Sequence, residues 1–140
     1  MNIRLFFTAI VTALSLSLQA QTPATSVPLA VRSELTRRYP DAKNTVWVKN
    51  NGNYEANFTS KAEGPATAVF TTFGAFVSIL TPAPVNFLPA PIGGYVKTHY
   101  HSAIVSARKN VSIVGKITYR IKTISGKIII FDQDGKCLSR

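Results

Sequence analysis

Residues 115–138 read GKITYRIKTISGKIIIFDQDGKCL, and the pattern of this segment is the strongest indication of the fold. Apolar and polar residues alternate through residues 117–121, and an apolar run follows at residues 128–131. The dipeptides Ser125-Gly126 and Asp134-Gly135, which favour tight turns, separate these runs and lead into a last short strand. The pattern therefore predicts a three-stranded antiparallel meander.

Two helices are predicted upstream of the meander. Apolar residues at spacing four, from Val27 to Tyr39, form one stripe of a helix that has Ser26 as its N-cap and that Pro40 ends. A weaker helix is expected over residues 91–99, and we expect Gly93-Gly94 to shorten it, since each glycine costs about 1 kcal/mol in a helix interior. Further strands are predicted over residues 45–49, 53–59, 66–72, 75–80 and 102–109, with a stiff linker over residues 81–91 and a loop over residues 110–114.

The chain repeats itself at a shift of 61 residues. The residues that recur are Val31 and Ile92, Leu35 and Val96, Tyr39 and Tyr100, Phe70 and Phe131, and Gly74 and Gly135. Because the helix stripe, the strand phase and the turn glycines all agree, we predict two tandem units over residues 27–80 and 88–140. Each unit is one helix followed by four strands, which makes the chain an α+β protein.

The N-terminus has the pattern of a targeting segment. Arg4 precedes an apolar run over residues 5–18, and Ala20 supplies a small residue at a cleavable end. The run is shorter than the ~20 apolar residues that a spanning helix needs. We predict a signal peptide over residues 1–20, a single domain over residues 21–140, a periplasmic or secreted location, and no stable membrane insertion after cleavage. An uncleaved N-terminal membrane anchor is the alternative.

The charge is strongly basic. The formal net charge of the 140 residues is +10, and cleavage after Ala20 would remove a single charged side chain, that of Arg4. Such a chain is attracted to anionic polysaccharide, anionic lipid or acidic proteins. Nucleic acid is the usual partner of a basic protein, but an exported chain does not meet it, and we expect no nucleic-acid binding. The alternative is that the charge serves solubility alone.

The residue pattern resembles the PepSY-like exported proteins of Gram-negative bacteria. The residues that carry the resemblance are Leu35, Tyr39, Pro40, Val46, Trp47, Gly52, Tyr54, Ala56, Phe58, Phe70 and Gly74, and in the second unit Tyr100, Gly115, Tyr119 and residues 131–135. The resemblance implies a beta-lactamase-inhibitor-like fold, in which tandem helix-plus-four-strand repeats form one antiparallel sheet with the helices packed on one face. It also implies a binding role. Residues 70–74 depart from the pattern because they lack an acidic turn residue, and no inhibitor contact motif is matched.

Strand alternation divides the predicted sheet into two faces. One phase is expected to meet the helices and holds Ala42, Val46, Ala103, Ala107, Ile117, Tyr119 and Ile121. The opposite phase carries the candidate binding residues Trp47, Lys49, Arg108, Thr118, Arg120 and Lys122. An exposed Trp among cations is typical of an anchor for a protein loop or an acidic sugar. The alternative is that loops cover Trp47 and that the cations are merely solvated.

These observations leave two main hypotheses for function. The first is an exported binding module, inhibitor-like, that uses the open sheet face to hold an unknown protein or an anionic envelope component. The second is a basic envelope protein that binds anionic polymer or lipid by charge alone.

We expect no catalytic site, metal or cofactor, because no nucleophile elbow, phosphate-binding glycine loop or HExxH pattern occurs. An enzyme at His99, His101 and Cys137 would require those three side chains to converge. The Asp132–Gly135 segment is interpreted as a hairpin turn with Gly135 at positive φ, since the chain ends before a calcium loop could close.

Overall fold

The computed structural model describes residues 22–23 and 26–139, so the predicted signal peptide lies outside the described residues. Within those ranges, neither helix has the length and apolar character needed to cross a bilayer. The helices and strands are α1 (Leu29–Arg38), α2 (Ala90–Tyr100), a 3-10 turn (Val85–Phe87), and the strands β1 (Thr22–Pro23), β2 (Lys43–Asn50), β3 (Asn53–Ser60), β4 (Gly64–Phe70), β5 (Phe76–Pro82), β6 (Ile104–Ser112), β7 (Ile117–Thr123) and β8 (Ile128–Asp132).

The strands form one antiparallel sheet in which each pairs with the next along the chain. Both helices pack on the same face of this sheet, so the predicted α+β class and the one-sided arrangement of helices are confirmed. We call the face away from the helices the open face. The last predicted strand of the second unit is reduced to a single bridge between Phe131 and Cys137.

The buried side chains form two clusters, one under each helix. Val31 and Leu35 of α1 pack on the aromatic and small residues of β3 and β4. Ile92 and Val96 of α2 pack on residues of β6, β7 and β8, among them Ile121 and Phe131. Burial of each such side chain stabilises the fold by roughly 1.5–3 kcal/mol, so the apolar stripes hold the helices in place.

The helix ends differ in detail from the sequence-based expectation. Pro28, rather than Ser26, is the N-cap of α1, and the cap makes no side-chain hydrogen bond. Helix α2 keeps its full 11 residues despite Gly93 and Gly94. The packing of Ile92 and Val96, both fully buried, offsets the unfavourable helix propensity of the two glycines.

Strand β6 extends further than predicted. A loop was expected over residues 110–114, yet β6 runs to Ser112. Asn110 pairs with Leu80, and Ser112 pairs with Ser78, across the junction between β5 and β6. These pairs join the two halves of the chain into one sheet, and this junction is the reason that the strand continues.

Two turn glycines contact the starts of the two helices in the same way. Gly74 has φ +89°, and a Cβ there would lie 3.0 Å from the backbone of Ala30. Gly135 has φ +87°, and a Cβ there would lie 3.1 Å from the Pro91 ring. Both the glycines and their partners are 61 residues apart in sequence. Each turn therefore needs glycine both for its backbone angle and for the close approach of the helix.

A bulge in β2 reverses the predicted strand phase. The register jumps from Lys43 opposite Thr59 to Val46 opposite Asn57, and Asn44 in between has φ 55°. One extra residue in a strand turns all following side chains to the other face. The phase prediction was therefore wrong for β2: Val46 is exposed on the open face, whereas Trp47 faces the helices.

The second unit has a matching bulge in β6. The register jumps there from Ile104 opposite Thr123 to Ser106 opposite Lys122. Ala107, Tyr119 and Ile121 lie on the helix face as predicted. Ala103 precedes the strand and is exposed, and it lines a depression together with Gly93 and Lys97 of α2.

Candidate binding site on the open sheet face

Four of the six predicted binding residues share the open face. Arg108 on β6 lies directly opposite Arg120 on β7, and Thr118 and Lys122 are the neighbours of Arg120 on the same side of β7. Ala107 and Ile121, which alternate with them, are buried under α2, and this alternation fixes the direction of the four side chains.

The open face is concave around Arg108 and Arg120. A pocket of about 310 Å³ lies there and is lined only by strand residues, from β3 through β8. The lining residues are Glu55, Thr67, Val69, Leu80, Arg108, Asn110, Thr118, Arg120 and Ile130. A second depression, of about 300 Å³, shares Thr67 and Arg108 with the first and reaches towards Val46. Both volumes fall at the lower end of the range for pockets that bind small ligands.

Arg108 is fixed in the wall of this pocket. Its Nη2 atom donates a hydrogen bond to Thr67 Oγ1 at 2.5 Å, and Thr67 Oγ1 in turn donates to Asn57 Oδ1 at 2.6 Å. Thr67 is a buried polar residue on β4, so this hydrogen-bond chain runs from β6 across β5 to β4 and β3. One edge of the Arg108 guanidinium group is thereby held in place.

The electrostatics of the pocket are dominated by the two arginines. Burial lowers the pKa of the Arg108 guanidinium, Arg120 lowers it further, and Glu55 acts in the opposite direction. Glu55 accepts a hydrogen bond from Asn50 Nδ2 at 3.1 Å. Within residues 26–139, the ion pairs are those of Glu34 with Arg37 and Arg38 on α1. The arginine pair therefore lies side by side in the pocket with no carboxylate at ion-pair distance among the described residues.

Trp47 and Lys49 lie on the opposite side of the sheet. Trp47 pairs with the buried Ala56, packs against the α1 cluster, and has its ring centroid 6.1 Å from that of Phe70. Lys49 has its Nζ atom 5.5 Å from the ring centroid of Tyr54. The prediction that they share a face with Arg108 was wrong because the bulge at Asn44 shifts both side chains to the helix face.

His99 and Cys137 both lie beside Tyr95 of α2, whose pKa is raised by a side-chain hydrogen bond with Cys137. The His99 ring stacks on Tyr95 with centroids 3.9 Å apart, and its Nδ1 atom lies 3.1 Å from the Tyr95 carbonyl oxygen. His101 ends α2 in the left-handed conformation. The Cys137 thiol donates to the Ser139 carbonyl oxygen at 3.3 Å and packs beside the α2 cluster. Within the described ranges, no three His, Cys, Asp or Glu side chains form a group that could hold a metal ion.

The turn at Asp132–Gly135 has the predicted hairpin geometry. Asp132 Oδ1 accepts hydrogen bonds from the backbone nitrogens of Asp134 and Lys136, each at 2.9 Å, and Gly135 has φ +87°. The carboxylate of Asp132 is thus used to hold the turn, as is usual for Asp in tight turns.

Sequence reasoning missed most of the pocket lining. Six lining residues come from five different strands and meet only through strand pairing: Glu55, Thr67, Val69, Leu80, Asn110 and Ile130. One signal was available in the sequence, since Thr67 is a polar residue inside the apolar run over residues 66–70. Such a residue needs a polar partner when buried.

No protein-family model matches the chain, and no curated protein matches it. Several solved structures match its fold. A candidate periplasmic protein of Bacteroides eggerthii superposes with a TM-score of 0.66 at 18% identity, over 81% of this chain and 87% of its own. A DUF2874 family protein of Bacteroides ovatus gives a TM-score of 0.66 at 20% identity, over 83% and 87%.

A BLIP-like protein of Bacteroides fragilis, named after a beta-lactamase inhibitor, also superposes on the chain. The TM-score is 0.60 at 15% identity, over 83% of this chain and 86% of that protein. Likeness at such low identity concerns the fold. The chain therefore has a beta-lactamase-inhibitor-like fold.

Proposed function

We propose that this chain is an exported, non-catalytic binding module that holds its ligand on the concave open face around Arg108 and Arg120. The observation that carries the proposal is the pocket of about 310 Å³, which both arginines line on the face away from the helices. Binding sites are usually concave and carry a few precisely placed polar groups, and six of the nine residues that line this pocket are polar or charged.

We also propose that the chain is a PepSY-like protein of the periplasm or the secreted fraction, with residues 1–20 as a cleaved signal peptide. Two observations support this: the fold likeness to a candidate periplasmic protein, and the common location of Tyr39, Trp47 and Phe58, which carry the sequence resemblance, in and around one core.

The proposed partner is a protein or an anionic component of the cell envelope, bound in an inhibitor-like manner by the open face. The charge of +10 and the juxtaposition of Arg108 and Arg120 favour a ligand that carries negative charge. Thr118 and Lys122 flank Arg120 and extend the same surface. The polar Thr67 and Asn57 hold Arg108 in a fixed orientation, which favours binding of one geometry over non-specific attraction.

A second candidate function is attraction to anionic polymer or lipid by charge alone. Exposed cations away from the open face favour it, among them Lys97 on α2 and Lys116 in the turn between β6 and β7. In that case the position of a charge on the surface matters less than the total charge.

Two charge-matched variants separate these functions. Arg120→Glu changes the open face and Lys97→Glu changes the helix side, and both alter the net charge by the same amount. Each is used beside the wild type to capture partners from a cell-envelope extract in physiological salt and in higher salt. We expect wild type and Lys97→Glu to recover the same partner and Arg120→Glu to lose it.

Equal recovery by all three proteins would contradict binding by the open face. Equal weakening by both variants, with complete loss in higher salt, would instead support attraction by charge alone, because screening weakens exposed charges over about 8 Å at physiological ionic strength. If Arg120→Glu retains a partner that Lys97→Glu loses, the binding site lies on the helix side.

A further inference from the structure

The pocket on the open face places two like charges directly opposite each other. Arg108 and Arg120 are a direct cross-strand pair of β6 and β7. Like charges at such positions destabilise an antiparallel sheet. Glu55, the acidic residue of the pocket lining, accepts a hydrogen bond from Asn50, and it is absent from the ion pairs of residues 26–139. The two guanidinium groups outnumber the one carboxylate of the lining, and the remaining positive charge favours an external anion.

The fixed orientation of Arg108 suits the recognition of a planar anion. Its Nη2 atom is already bonded to Thr67, so the guanidinium group cannot rotate freely, and its remaining N–H groups have a defined direction. A carboxylate matches the planar fork of a guanidinium group through two parallel hydrogen bonds. Such preorganisation reduces the loss of entropy on binding.

The charge and the lining of the pocket narrow the class of anion. Arg108 is half-buried, and desolvation of a doubly charged anion beside it costs more than desolvation of a singly charged one. The largely buried Val69 and Leu80 and the half-buried Ile130 line the same pocket with aliphatic side chains. The described lining contains no aromatic ring on which a sugar could stack. A singly charged group on an aliphatic body fits these surroundings better than phosphate, sulfate or an acidic sugar.

We propose that the pocket binds an aliphatic carboxylate, with the carboxylate between the guanidinium groups of Arg108 and Arg120 and the aliphatic body against Val69, Leu80 and Ile130. This chemistry occurs at the C-terminus of a peptide that ends in a branched aliphatic residue, and also in a free branched-chain acid. The inference rests on the proposed function of the open face and specifies its ligand.

The test is a titration of the isotope-labelled chain, purified after expression of the full sequence and followed by NMR. The probes are N-acetyl-leucine, the uncharged N-acetyl-leucinamide, 4-methylpentanoate, glucuronate and sulfate. N-acetyl-leucine represents a peptide C-terminus and 4-methylpentanoate a free acid. We expect carboxylate-dependent shifts of the amides of Arg108, Arg120 and Ile130. Binding of the amide should be at least tenfold weaker, since it lacks the charge-assisted hydrogen bonds.

Matched variants locate the binding. Arg120→Gln should weaken N-acetyl-leucine about tenfold or more, whereas Lys97→Gln, on α2, should leave the affinity unchanged. Ile130→Asn tests the aliphatic surface at a half-buried position and should weaken the binding of N-acetyl-leucine without affecting that of sulfate. Because Arg120 is exposed, its substitution is expected to leave the fold intact, and the dispersed spectrum of the variant checks this directly.

Different failures have different meanings. Equal binding of sulfate and the carboxylates, or tighter binding of glucuronate, would overturn the assignment of an aliphatic carboxylate. If no probe binds while Arg120→Glu still loses an envelope partner that Lys97→Glu retains, the ligand class is wrong and the proposed function stands. If Arg120→Glu also behaves like the wild type in capture, both are wrong.

Discussion

Gly74 and Gly135 show how single residues set the distance between the helices and the sheet. Each has positive φ, and a Cβ at either position would lie 3.0–3.1 Å from the start of a helix. Most substitutions there must both strain the turn and push the helix away. The two positions correspond at the shift of 61 residues, so the same constraint occurs once in each half.

We expect Gly74→Ala to lower the free energy of unfolding by about 1–3 kcal/mol, because alanine at positive φ is strained and its Cβ meets the backbone of Ala30. The control is Gly93→Ala, inside α2 with open space around the added atom. That change should raise stability by about 0.5–1 kcal/mol. Urea denaturation measures the free energy of unfolding of both variants. An unchanged value for Gly74→Ala would contradict the close contact.

Glu34 on α1 gives a pH-dependent contribution to stability. Its carboxylate accepts hydrogen bonds from Arg37 Nη2 at 2.7 Å and Arg38 Nε at 2.6 Å, and these bonds lower the pKa of Glu34 from 4.5 to about 2. Between those values the unfolded chain binds more protons than the folded one. The contribution is therefore complete above pH 4.5 and is lost as the pH falls towards 2.

We expect Glu34→Gln to lower the free energy of unfolding at pH 7 by no more than about 1 kcal/mol, because the Arg37 side of the pair is exposed. The difference from the wild type should shrink below pH 4.5 and vanish near pH 2. Denaturation over a pH series measures it. Glu63→Gln in the exposed turn between β3 and β4 is the control, and a difference of equal size there would argue against the α1 pair.

At the scale of the elements, the two bulges explain which parts of the sheet could be predicted from the sequence. Alternation in β7 places Arg120 and Lys122 correctly because Ile121 between them is plainly apolar. In β2 both Val46 and Trp47 are apolar, so alternation alone cannot decide which of them faces the helices. The extra residue at Asn44 decides it, and Asn tolerates positive φ in many contexts besides bulges.

The pocket illustrates the same limit. Arg108 and Arg120 were predicted on the open face, but the hydrogen bond from Arg108 to Thr67 and the position of the aliphatic lining depend on register across several strands. Register is set by turns and bulges as well as by apolar pattern, and none of these could be read from Arg108 itself.

We expect Trp47→Ala to lower the free energy of unfolding by about 2–4 kcal/mol, since the indole packs against Phe70 and the α1 cluster. The folded variant should bind N-acetyl-leucine like the wild type. Val46→Ala, on the open face, is the matched control and should cost less than about 1 kcal/mol. Denaturation measures the stability of both variants, and NMR titration measures their binding. Loss of binding in a folded Trp47→Ala variant would show that Trp47 takes part in binding.

At the scale of the whole molecule, the sheet is continuous while the core is divided. The α1 and α2 clusters lie under separate helices, and the β5–β6 pairing connects the halves. The duplicated pattern of the sequence predicted this arrangement, since each unit has its own apolar helix stripe. It could not foretell that the candidate pocket would lie across the junction, because no single unit contains the complete lining.

The hydrogen bond from Arg108 to Thr67 joins the second half of the chain to the first. Because each half of the sheet packs under its own helix, a change in the angle between the halves would bend the sheet at β5 and β6. Any molecule held between Arg108 and the aliphatic side chains of β4 and β5 would contact both halves of the sheet at once. Its affinity would then depend on the angle between the two halves. Substitutions on the helix side that change this angle would change the affinity without altering any residue of the pocket.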